Sequence, residues 1–144
     1  MLRTLAPLAA LALVGCSSAA PAPPSPACSD TPISIERALQ SAPRRVLLAD
    51  GASIAGCVER ARNDGQLQDV GSALSTVADD LASRAAHGDA AAATQLGYLV
   101  GAARRGAART NGVAAELVRR LEQAGGEASP APLASGLRAG ERNG

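Results

Sequence analysis

Leu67-Gln68-Asp69-Val70-Gly71-Ser72-Ala73-Leu74-Ser75-Thr76-Val77-Ala78-Asp79-Asp80-Leu81-Ala82-Ser83-Arg84-Ala85 decides the fold class of this 144-residue chain. Leu67, Val70, Leu74, Val77, Leu81 and Ala85 recur at steps of 3, 4, 3, 4 and 4. That period places all six on one face of a helix of about five turns. Asp69, Asp79, Asp80 and Arg84 fall on the other face, which water can solvate. Gly88 stops the segment, and Asp89 is placed to cap the next helix.

Working toward the C-terminus, Leu96, Leu99, Val100 and Ala103 form a second apolar face. Asn111-Gly112 breaks it, and Val113, Ala114, Leu117, Val118, Leu121 and Ala124 form a third before Gly125-Gly126. Residues 125–144 are rich in Gly, Ala, Ser and Pro without an apolar period, and read as a disordered tail. Short breaks between helices favour antiparallel neighbours. The expectation is therefore a mostly α fold, a small up-and-down bundle of three to five helices over residues 30–124. One domain of that length buries a single modest core.

Toward the N-terminus the pattern weakens. Thr31 and Pro32 fit the cap and first position of a helix whose inner face takes Ile33, Ala38 and Leu39, with Pro43 ending it. Two readings stand open at 46–56. Asp50-Gly51 between Val46-Leu47-Leu48-Ala49 and Ala52-Ser53-Ile54 is a hairpin signal. The competing reading is a helix from Val46 through Arg62 interrupted at Gly51. Val58 to Asn63 reads as a short helix in its own right.

The first sixteen residues are of another kind. Arg3 is a positive start, Leu5 to Val14 is apolar, and Leu13-Val14-Gly15-Cys16 closes the run. That is the layout of a secretory signal, too short to span a bilayer, which takes about 20 apolar residues. The four-residue ending resembles the lipobox of bacterial lipoproteins. The resemblance covers residues 1–16 and implies diacylglyceryl attachment to the Cys16 sulfur, with cleavage before Cys16. Residues 1–15 are then the signal peptide, and 16–29 a Pro/Ala/Ser tether to the membrane. The rest of the chain is similar to exported lipoproteins of high-GC actinobacteria, a likeness that implies an address and no activity.

With Cys16 lipidated, Cys28 and Cys57 remain. In an oxidising compartment the pair invites one disulfide, two free thiols being the alternative. The bridge would close a loop of roughly 30 residues, worth about 3–4 kcal/mol on the chain-entropy model. No metal-ligand spacing is present, and no cofactor is expected.

All 14 basic residues are Arg, and Phe and Trp are absent, which GC-rich codon usage explains. Loss of Arg3 with the signal leaves 13 basic residues to balance the 13 acidic ones. Neutrality argues against a nucleic-acid partner and against electrostatic adhesion as the main anchor.

Few side chains offer chemistry. His87, the sole histidine, fits a helix C-terminus, where a cation suits the macrodipole. Asp79 and Asp80 point about 100° apart on a helix and cannot share a proton as a dyad. Arg104, Arg105 and Arg109 form the densest basic patch, near Tyr98, the one aromatic residue; Arg119-Arg120 is a second. Guanidinium forks suit carboxylates and phosphates, so Tyr98, Arg104, Arg105 and Arg109 are candidate contacts for an anionic or cell-wall ligand. Salt bridges to Glu116, Glu122 or the acidic helix are the other reading. Gly88-Asp89-Ala90-Ala91 with Leu96-Gly97-Tyr98 resembles one unit of tetratricopeptide-type helical repeats, but no second copy follows at a fixed period. With no catalytic constellation, the leading expectation is a non-enzymatic envelope protein, bound to the membrane through its lipid and to a protein partner through its helices.

Overall fold

The computed structural model describes residues 22–144. Six α-helices make up most of it: α1 Pro32–Leu39, α2 Ile54–Arg60, α3 Asp64–Ala86, α4 Ala90–Ala107, α5 Ala115–Ala124 and α6 Pro130–Asn143. Single 3-10 turns cover Pro26–Ser29 and Gly125–Glu127. No strand occurs among the described residues. The chain is a helical bundle, as its periodicity implies.

α3 is the clearest case of pattern becoming structure. The Asn63 side chain accepts from the Gln66 N–H at 2.9 Å and starts the helix. Val70, Leu74, Val77 and Leu81 are buried, and Leu67 lies half-buried at the N-terminal end. At the other end Gly88 takes φ +92°, where a side chain would strain the backbone. The Gly88 N–H donates to the Ala85 carbonyl at 3.0 Å and the Asp89 N–H to that of Arg84 at 3.1 Å. These paired bonds close the helix. Asp89 then caps α4, accepting from the Ala92 N–H at 2.9 Å.

α4 is the axis of the bundle. Twelve of its 18 residues are buried, from Ala92 to Gly106, and α1, α2, α3, α5 and α6 all pack against it. A helix buried on most sides shows little amphipathic contrast. Its Ala and Gly let neighbouring backbones come close. A Cβ on Gly106, for instance, would lie 2.9 Å from the Val58 Cβ of α2.

Several expectations are corrected. Residues 125–144 are not a disordered tail: Pro130–Asn143 form α6, which packs along α4. A leucine stripe is missing because the contact is made by backbone. Gly97 and Gly101 of α4 face Gly136 and Gly140 of α6, each spaced by four so that both lie on one helix face. A Cβ on Gly97 would stand 2.8 Å from the Leu137 nitrogen, and one on Gly136 2.9 Å from the Tyr98 nitrogen. Neither helix tolerates a side chain there.

The boundary at 29/30 moves as well. Pro26–Ser29 is a 3-10 turn whose Cys28 is buried and bonded to Cys57 of α2, Cα to Cα 5.4 Å. The folded unit therefore begins within the residues assigned to the tether. The two readings at 46–56 resolve into a turn followed by α2. Gly51 has φ +83°, and Leu48 N–H donates to the Ala52 carbonyl at 2.9 Å, yet no ladder continues from it. Val46 and Leu48 point into the core from this loop while Leu47 stays exposed. Ile33 is 69% exposed, because Ile35 and Leu39 are the residues α1 buries. Thr31 stands at the cap position of α1 without a side-chain cap bond; its carbonyl accepts from Ser34 N–H at 2.9 Å.

Candidate functional site

The four residues singled out around Tyr98 are not gathered into one site. The Tyr98 side chain is wholly buried, and its hydroxyl accepts from the Val46 N–H at 3.0 Å. That bond satisfies a backbone donor of the loop after α1, which would otherwise be stranded in the core. Tyr98 thus holds the loop on α4 and presents nothing to a ligand.

The arginines are spent within the fold. Arg104 Nε meets Glu122 Oε1 of α5 at 2.7 Å, and its Nη1 meets Glu141 Oε1 of α6 at 3.3 Å. The Arg104 guanidinium is held further toward its charged form by the bond to Glu122 above all. Arg105 Nη1 donates to the Glu141 carbonyl at 3.3 Å and also to that of Arg142. A cation beside the last carbonyls of α6 satisfies free acceptors and opposes the helix dipole. Arg109 reaches back to Glu59 of α2 at 3.2 Å. Arg104 and Arg105 of α4, and Arg109 just after it, therefore clasp three neighbouring helices.

Several other titratable groups are also structural. Arg84 bridges Asp89 at 3.1 Å, Asp80 at 3.5 Å and Glu36 of α1 at 3.8 Å. Burial, together with Asp80 nearby, raises the Glu36 carboxyl against the pull of Arg84. The bond to the Ala92 N–H, and then that to Arg84, lowers the Asp89 carboxyl. His87 stands at the C-cap of α3, its Nδ1 2.7 Å from the Ser83 carbonyl oxygen. Arg119 and Arg120 both contact Glu116, at 2.7 and 2.9 Å, and hold its carboxyl down to about 2.

One concave surface is only partly used up by internal pairing. Between the N-terminal half of α3 and the start of α5 runs a groove of about 470 Å³. Leu67, Gly71 and Leu117 form its apolar floor; Asp64, Gln68 and Asp79 stand on its α3 side, and Glu116 and Arg120 on its α5 side. Gly71 lies against the Leu117 side chain, whose Cδ1 would stand at ordinary contact distance, 3.5 Å, from an added Cβ. Among the described residues Asp64 and Asp79 carry no ion pair. Nothing in the sequence assigned Gly71 a role, and which helix would lie across it could not be read from the stripe. Ile33, Val113 and Leu47 are the other prominent apolar exposures, at 69%, 51% and 45%.

Cys16 lies outside the described residues. Among those described, no group of His, Cys, Asp and Glu is arranged to hold a metal ion, and no helix is long and apolar enough to cross a membrane. Comparison with known proteins finds no match to a family model, a curated protein or a solved structure.

Proposed function

We propose that the chain is an exported lipoprotein of the bacterial envelope, held to the extracytoplasmic face of a membrane through Cys16, which binds another envelope protein and catalyses no reaction. The observation that carries the binding role is the α3–α5 groove. It offers an apolar floor flanked on its α3 side by Asp64 and Asp79, which carry no ion pair among the described residues, and on its α5 side by the Glu116–Arg120 pair, while Arg104 and Arg109 are occupied by other helices. Its chemistry fits a polypeptide segment with an apolar side chain flanked by Arg or Lys. The Cys28–Cys57 bond supports export, since disulfides persist in oxidising compartments outside the cytosol.

The address is tested by Cys16→Ser. That protein loses its glyceride mass and moves to the aqueous phase; continued membrane retention would place the anchor elsewhere. The binding role is tested with a photo-crosslinking residue at Gln68 on the groove rim, and at exposed Arg138 of α6 as control. A discrete adduct at Gln68 alone is expected in intact cells. Equal, diffuse labelling at both positions would sink the groove as a binding surface.

A further inference from the structure

The tether leaves the folded unit beside a cluster of cations. Ser25, the last residue before the first 3-10 turn, lines a surface depression of about 380 Å³ with Arg45, Arg60, Asp50 and Ser53. Arg44 adjoins Arg45 in the same exposed loop, and two positions on Leu47 projects outward, 45% exposed. Among the described residues none of the three arginines enters an ion pair. Arg37, Arg62, Arg138 and Arg142 are likewise without an ion pair among the described residues, but none of them lines the depression beside Ser25. Asp50 is the single acid of the depression, and its Oδ1 is engaged by the Ala52 N–H at 3.0 Å.

We infer that this face, Arg45 and Arg60 with Arg44 and Leu47 of the adjoining loop, is the membrane-facing side of the protein and rests on anionic lipid headgroups. The inference rests on the lipid anchor at Cys16. Ser25 lies nine positions after Cys16, so the tether spans at most about 30 Å. A folded unit of this size is on the order of 35 Å across. The side opposite Ser25 is out of reach of the headgroups, and the side holding Ser25 is within reach. Charge then selects among the orientations the tether allows. Guanidinium groups near anionic headgroups each contribute about a fivefold change in the docking equilibrium at moderate salt. Leu47, exposed two positions after Arg45, enters the headgroup boundary, the usual division of labour in an interfacial segment. In this orientation the lipid holds the chain at the surface and the arginines set which way it faces.

The test uses the full lipidated protein, reconstituted in phosphatidylcholine vesicles and in the same vesicles with phosphatidylglycerol added. Intact mass reports the glyceride; amide hydrogen exchange reports the covered face. Slower exchange over residues 44–53 in the anionic vesicles only, abolished by high salt, is expected. The double variant Arg45→Glu, Arg60→Glu should lose that protection, by about 30-fold in the docking equilibrium if the two contributions multiply. Its circular dichroism should match the parent, since both side chains are exposed. A protein that carries the glyceride yet exchanges identically in both vesicles, or is protected on another face, overturns the inference and leaves the anchor standing. Protection that survives in the double variant removes the arginines from the account and overturns it too. A protein without the glyceride mass overturns the anchor and this inference together.

Discussion

α3 and α6 both lie against α4, and they do so by opposite means. α3 presents Val70, Leu74, Val77 and Leu81, branched side chains buried in the shared core. α6 buries Gly136, Ala139 and Gly140, with Leu133 and Leu137 only half covered. There the helices touch through main chain, and the missing side chains are what makes contact possible. The first interface gains from apolar area removed from water; the second gains from many close dispersion contacts along two backbones. A leucine stripe can be trimmed and leaves a cavity. A glycine stripe can only be overfilled.

The two interfaces should therefore fail differently. Leu74→Ala removes a fully buried side chain from the shared core, and a loss of about 2–5 kcal/mol is expected. Chemical denaturation should show it as one cooperative shift that includes α6. Cleaving the Cys28–Cys57 bond should cost about 3–4 kcal/mol. Its mark is faster amide exchange in the first 3-10 turn and α2, while α6, on another side of α4, changes least. A midpoint unaltered by reductant would show that packing alone secures that side.

Gly136→Val should cost about 1–3 kcal/mol by overpacking and be felt locally. Exchange over 130–143 rises toward that of an open chain while the α3 amides stay protected, because α6 packs chiefly on α4. Global unfolding by this one substitution would break the contrast, making α6 part of the cooperative core. The smallest effect is expected on α5. The Glu116 carboxylate, lowered to about 2 from an ordinary 4.5 by Arg119 and Arg120, strengthens the first turn of α5 at pH above about 4.5. That support is lost as the pH falls toward 2. Nuclear magnetic resonance between pH 5 and 2 should show α5 fraying at its start, with no matching change in the middle of α3.

The same contrast explains what was legible beforehand. The stripe from Leu67 to Ala85 named its helix, because side-chain burial leaves a period that can be counted. Gly88-Asp89 and Asn111-Gly112 marked real breaks: Gly88, Asn111 and Gly112 all take positive φ. Pairing Cys28 with Cys57 needed only an even count of cysteines once Cys16 was set aside. Asp50-Gly51 announced a turn and did make one, but a turn does not secure strands when no neighbouring strand is there to bond them. The basic patch at Arg104, Arg105 and Arg109 was visible as charge; its use was not, since Glu59, Glu122 and Glu141 come from distant parts of the chain.

From the order of residues alone came the helical class, the positions of the main breaks and the single cross-link, all consequences of local periodicity, backbone permissiveness and cysteine count. Tertiary structure alone decided that Pro130–Asn143 is a helix, that Tyr98 is a core anchor, and that a groove opens between α3 and α5. Each of these depends on which surfaces meet. A glycine every fourth residue reads as flexibility until a second helix with the same spacing lies against it. An arginine reads as a free cation until the fold supplies its carboxylate.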